Sequence, residues 1–353
     1  MATHENGRGP VDWLDEHEHE RKGLDLRGAD LRQVDLSLLP LARLRGGLAW
    51  DEHSDHTTEE QYSMAAVHLE GANLYGAHLE GVRLNSAYLE GANLGYAHLE
   101  RADLIKIHLE GANLEGAFLT DADLGYAHLA GANLSGGRLG GGYMRNVILS
   151  DEKRGGPRLV DIRWGDINLA VVKWAQVKIL GDEYEARQKK RSGKVKARET
   201  RLNEYENAVR ANRQLAVALQ AQGLNEDAAR FAYRAQKLQR IVLRRQHRFG
   251  QYLFSLLLDV FAGYGYKPER CFFVYVLALA GFTVAHYIVG IIAGPHLSWL
   301  SALAVSIQSL HGRIFSFQPG DPQTLLNTIE AFVGLFIEAI VVAIITQRIL
   351  GKS

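Results

Sequence analysis

Leucine recurs at every fifth position without a break from Leu69 to Leu139, and Met64, Met144 and Leu149 hold the same register at either end. Two positions before most of these stands a small or compact apolar residue, as at Ala72, Ala77, Ala87, Ala92 and Ala97, while the intervening positions are polar. A five-residue period fits neither an α-helix nor an alternating strand. It fits a squared coil in which each unit makes one side, Leu and the preceding Ala point inward, and four units complete a turn. Turns of such a coil stack about 4.8 Å apart. Like residues should then recur one full turn apart, and GANL does recur at Gly71, Gly91, Gly111 and Gly131. Asn73, Asn93, Asn113 and Asn133 fall in one ladder, whose amides can hydrogen-bond along the stack.

The pattern A(D/N)LXX resembles the pentapeptide-repeat family over about 64–149, with an earlier piece at LDLRGADLRQVDL. The resemblance implies a right-handed quadrilateral β-helix, and we assign it to 23–170. Residues 37–63 break the period and read as a capping insertion, because solenoid ends need covers. DINL keeps the register through Leu169, which predicts one further irregular turn before helices begin. Two outward columns, His68/Tyr88/His108/His128 and His78/His98/Phe118/Arg138, raise the question of a metal. The reading adopted is that these rings cover the neighbouring rung beside Glu70, Glu90 and Glu110, since the sequence displays no closed ligand set. No metal or cofactor is expected. Some members of the family mimic DNA, which needs a strongly acidic surface; nine acidic against five basic residues over 64–149 is a weak basis for that.

The composition turns helical over 171–249, a hairpin linker broken at QGLNED, where Gly223 can end one helix and Asn225 cap the next. Leu224, Ala228, Phe231, Ala235, Leu238 and Val242 make a heptad seam that can pack within the hairpin or against another copy. The basic run QKKRSGKVKARETR reads as a solvated helix or one facing anionic lipid, and no nucleic-acid partner is expected. FGQYLFSLLLDVF, within 250–270, reads as an interfacial segment. The GYG at Gly263 to Gly265 that follows it is a turn.

Residues 271–293 carry no formal charge and are long enough to cross a bilayer; a second apolar run, 325–346, carries Glu330 and Glu338. Arg and Lys crowd the approach to the first span (Arg240, Arg244, Arg245, Arg248, Lys267, Arg270), while Arg348 and Lys352 follow the second. The positive-inside rule puts both ends in the cytoplasm. Between the spans, 297–310 is too short to span and too apolar for a simple loop. Span, short helix, polar loop, span resembles the two-transmembrane pore module of the potassium-channel superfamily, in which four subunits surround one pathway. That resemblance makes 271–353 an α-helical membrane pore domain. It places His311, Gly312, Arg313, Ile314, Phe315 and Ser316 at the filter, with Glu330, Gly334 and Glu338 along the inner pore. The family's TVGYGD string is absent, so potassium selectivity is not implied. Arg313 can ring the outer pathway, or pair with Asp321 or with Glu330 of a neighbour and brace the loop.

Net charge is zero, the N-terminus (1–22) has no apolar core of a secretory signal, and the single cysteine, Cys271, excludes a disulfide framework. No nucleophile and base pair, phosphate loop or metal constellation points to an enzyme. The expectation is a multidomain, bacterial-type homotetrameric ion channel of the cell membrane. Its partners are lipid, permeant ions of unknown identity and a cytoplasmic protein on the repeats. The competing expectation is a membrane-anchored interaction scaffold without conduction.

Overall fold

The computed structural model describes residues 24–39, 41, 66–151, 153–191, 193–267, 269–293, 297–312 and 322–350, and the chain divides into two compact units, Met1–Val242 and Leu243–Ser353. In the first unit the five-residue period closes into a four-sided β-helix. Parallel bridges join residues one turn apart, as in His68↔Tyr88, Asn73↔Asn93, His78↔His98 and Arg83↔Asp103. Each rung bonds its neighbours through the backbone: Leu69 N–H donates to Tyr88 O and Tyr88 N–H to Val67 O. The inward pairs, from Ala72 and Leu74 to Ala132 and Leu134, are at most 2% exposed and form one continuous core. A squared coil turns sharply after each leucine. Every fifth residue from Gly71 to Asn146 accordingly has positive φ, and non-glycines such as Ser86, Tyr96 and Arg101 take the same left-handed geometry.

The structure places the early piece and corrects one register expectation. Asp25, Asp30 and Asp35 bridge His68, Asn73 and His78, so the early piece is the rung directly beside the second, and regular bonding continues through Leu39. The segment 37–63 therefore falls in sequence between two adjacent rungs; Leu41 within it is buried in the coil's core, and the rest of the capping insertion beyond Leu39 lies outside the described residues. At the other end Asn133 bridges Arg158 and Arg138 bridges Arg163, an offset one unit longer than a turn. The extra unit is taken up around Asp151 to Gly155, and Leu169 continues the column of Met144, not that of Leu149.

The C-terminal end of the coil is closed by short 3-10 turns at Leu169–Val171 and Trp174–Gln176, then by helices α1 (Gly181–Arg187), α2 (Arg198–Ala221) and α3 (Asn225–Arg245). Trp174 packs edge-on against Trp164 and Phe231, and Ala211, Leu215, Leu219, Ala228 and Phe231 belong to the coil's own core. The open edge is satisfied by glutamines in place of a further rung. Gln222 accepts from Leu169 N–H at 2.7 Å and donates to Ile167 O at 2.8 Å; Gln176 does the same for Leu149 N–H and Val147 O. The heptad seam is thus consumed within the chain: Ala228 and Phe231 meet the coil, while Leu238 and Val242 meet Tyr205, Ala208 and Val209 of α2. The basic run is helical only from Arg198, where α2 begins. Its start pairs as a short hairpin of β1 (Lys190–Arg191) and β2 (Lys194–Val195), turning at Gly193, and buried Lys196 binds Glu204 at 2.8 Å.

The second unit is helical: α4 (Phe249–Ala262), α5 (Glu269–Ala293), α6 (Trp299–Leu310) and α7 (Pro322–Leu350). Two of these, over Glu269–Ile292 and Pro322–Val342, are long and apolar enough to cross a membrane, each with mean hydropathy 2.0. Gly263 ends α4 in the left-handed region, its N–H donating to Asp259 O, so the GYG sequence is a helix stop. Ser298 caps α6 by accepting from Ser301 N–H.

Candidate functional site

Polar chemistry inside the helical unit gathers at α5, α6 and α7. His286 of α5 and Glu330 of α7 are both 0% exposed, with Nε2 2.7 Å from Oε2. Ser306 of α6 donates its hydroxyl to Glu330 Oε1, and Gln323 Nε2 lies 3.0 Å from His286 Nδ1. A carboxylate among apolar helices is costly unless its oxygens are bonded, and here both are. Glu330, assigned by the sequence to the inner pore, is therefore enclosed inside one subunit's helices. Glu338 differs. Eight residues further along a helix is a rotation of about 80°, which turns Glu338 outward to 50% side-chain exposure, with its Oε1 2.8 Å from His311 Nδ1. Tyr275 hydroxyl lies 3.2 Å from the other ring nitrogen of His311.

Gly334, the other inner-pore position read from the sequence, lies at a helix contact. A Cβ there would overlap the carbonyl of Leu310, so this glycine is the place where the end of α6 meets the middle of α7 in close approach. Gly312 follows with φ of 70°. Leu310, His311, Gly312, Thr328, Phe332 and Glu338 border a cavity of about 250 Å³. Of the six filter positions read from the sequence, only His311 and Gly312 are described; Arg313, Ile314, Phe315 and Ser316 lie outside the described residues. The sequence reading missed His286, Ser306 and Gln323. The available signal was a lone histidine in an uncharged span whose partner span holds a carboxylate.

On the coil, the Asn ladder is bonded as its spacing predicts, Nδ2 to Oδ1 at 3.0, 3.0 and 2.9 Å from Asn73 to Asn133. The ring columns stack too: His68, Tyr88, His108 and His128 have successive centroids 5.0, 4.5 and 4.4 Å apart. Rung stacking also brings a glutamate into each pair of stacked histidines. Among the described residues, His78, Glu80 and His98 converge, and so do His108, Glu110 and His128. Burial raises the Glu110 pKa, but hydrogen bonds from His108 and His128 outweigh it and hold the carboxyl well below its usual range.

The family described as Pentapeptide repeats matches residues 63–95, 83–121 and 112–151, in eight copies. No curated protein matches the sequence. Among solved structures, the pentapeptide-repeat protein Rfr23 of the cyanobacterium Cyanothece 51142 is 29% identical, over 44% of this chain and 90% of that one, with a TM-score of 0.24. HetL of Nostoc sp. strain PCC 7120, a pentapeptide-repeat protein involved in regulating heterocyst differentiation, is 20% identical over 44% of this chain and 59% of its own, with a TM-score of 0.25. QnrB1, a plasmid-mediated fluoroquinolone resistance protein, is 18% identical over 47% and 87%, with a TM-score of 0.18. The repeat segment of this chain is a pentapeptide-repeat domain, carried on the same polypeptide as two helices long and apolar enough to cross a membrane.

Proposed function

We propose that the chain is one subunit of a homotetrameric ion channel whose pentapeptide-repeat domain is a cytoplasmic module for a protein partner or regulator. The observation that carries this reading is the meeting of Leu310 with Gly334. Helix α6 is twelve residues long, about 18 Å, and Gly334 stands about 18 Å into α7 from Pro322. Leu297, at the start of α6, lies against Gly290 near the end of α5. A half-length helix that starts where one span ends and stops halfway along the next fits a re-entrant pore helix, and the chain must then climb back to Pro322. Non-helical backbone at such depth is tolerated only against protein or water. The apolar faces support assembly: Phe272, Leu277, Ile292, Phe332 and Leu335 are all more than 60% exposed, and each needs lipid or another subunit.

One observation favours the scaffold alternative. Glu330, placed by the resemblance along the inner pore, has both carboxylate oxygens bonded within the subunit. A membrane tether could contain the same pair. The two readings separate in one preparation of the full chain. A tetramer by light scattering in mild detergent, with unitary currents in planar bilayers, is the expected result; a folded monomer or dimer, or a tetramer that never conducts, would leave the tether.

A further inference from the structure

Each outward ring column contains one place where two histidines sit on successive rungs, and in both places a glutamate two residues after a histidine leans into the pair. The donor geometries differ. Glu110 Oε1 lies 3.6 Å from His108 Nδ1 and 3.1 Å from His128 Nδ1. With metal bonds of about 2.0–2.1 Å, the ligand atoms of a tetrahedral zinc site stand about 3.3 Å apart, so this spacing surrounds the required centre. In the other group the separations from Glu80 Oε1 are 2.9 and 3.9 Å.

Ring orientation decides between them. A metal lies near the plane of each imidazole that binds it, and two parallel stacked rings share no in-plane point. The His78 and His98 planes differ by 10°, whereas those of His108 and His128 differ by 35°, so only the second pair departs from parallel stacking. The side chains there are 26%, 14% and 32% exposed for His108, Glu110 and His128, so the group is reachable from solvent while its carboxylate is held in place. Two imidazole nitrogens and one carboxylate oxygen suit zinc, cobalt, nickel or copper and not magnesium or calcium. Three protein ligands leave a fourth position for water or for a donor from a binding partner.

We propose that His108, Glu110 and His128 form a three-ligand site for a zinc-class divalent ion on one outer face of the repeat domain, linking adjacent rungs. This departs from the expectation of no metal: the spacing placed His108 and His128 in one column, and the structure adds the Glu110 carboxylate between their ring nitrogens. It is independent of whether the helical unit conducts.

The test uses the full chain in detergent, stripped with chelator and titrated with zinc against a chromophoric competitor, and with cobalt read by the visible absorption of four-coordinate Co(II). His128→Ala and Glu110→Gln should each weaken zinc binding at least tenfold and abolish the cobalt band. His68→Ala, in the same column but with Tyr88 on the next rung, should stay within twofold of wild type. The variants change outward side chains, and circular dichroism melts check the fold; His128→Asn supplies the same deletion should alanine lower the melting temperature. The proposal is overturned if wild type shows no cobalt band, if both triad variants bind as wild type does, or if His68→Ala loses as much.

Discussion

Gly91 occupies a corner of the coil with φ near 67° and open space where a Cβ would project, so Gly91→Ala tests the backbone angle alone. It should cost about 1–2 kcal/mol, read as a lowered melting temperature. Gly334 is helical, and what excludes a side chain there is the Leu310 carbonyl. Backbone cannot step aside as a flexible side chain can, so Gly334→Ala should cost about 1–3 kcal/mol and loosen α6 from α7. Glu330 makes a different residue-scale case. Glu330→Ala leaves His286 and Ser306 buried without their acceptor and should cost about 3–5 kcal/mol in detergent melts. Replacing the pair together, His286→Leu with Glu330→Leu, should recover much of that loss, because it fills the space and leaves no charge. Equal destabilisation by the single and double changes would mean that the pair is not what holds these helices.

At the scale of elements, the coil's vulnerable part is its last edge, where backbone groups face no further rung. Gln222 closes two of them, so Gln222→Leu keeps the bulk but orphans Leu169 N–H and Ile167 O, a loss of about 1–3 kcal/mol. Unfolding should begin at this end, seen as early hydrogen exchange at Leu169. The same closure holds a pH-sensitive group. Asp182 at the start of α1 accepts from Leu159 N–H at 2.7 Å, but its other oxygen is buried without a partner, and burial pushes its pKa up to about 6. Its folded pKa exceeds the unfolded value of about 3.9. The folded state therefore holds the proton more tightly, and stability is lost as pH rises from about 4 through 6. Asp182→Asn should gain on wild type across that window, by up to about 3 kcal/mol above pH 6, and show no such gain below pH 4. Parallel pH profiles for the two proteins would show that Asp182 ionises without cost.

For the whole molecule, charge balance is zero overall, and local sign is what matters in a low-dielectric pathway. Glu338 is a half-exposed carboxylate midway along α7, tied to His311 at the end of α6. If four subunits surround a pathway, Glu338→Ala removes one negative ring and should move reversal potentials in asymmetric salt toward anion preference. Arg313→Ala, at the sequence-assigned filter, should move them the opposite way. Conduction with unchanged reversal potentials in both would remove these residues from the ion's path.

The coil was legible in the sequence because its rule is local: a five-residue period sets which side chains point inward, and residues one turn apart stack whatever the rest of the chain does. The Asn ladder and the ring columns follow from the same arithmetic. The register of the first rung was not legible, since any loop length between Leu39 and Val67 is compatible with the pattern. Nor was the offset after Leu149, where a single extra unit preserves the period while shifting the stack. In the helical unit, hydropathy located the two long helices and the short one between them, because apolar length is a property of the segment itself. The surroundings of Glu330 and Gly334 were not legible, because a helix face acquires meaning only from what packs against it. One helix put His286 and Ser306 around the first residue, and the end of another helix filled the space beside the second. The sequence alone determined the period, the ladders and the long apolar helices, all consequences of short-range patterning. Tertiary structure decided which carboxylate is enclosed and which imidazoles converge, because those depend on distances between residues that no spacing along the chain encodes.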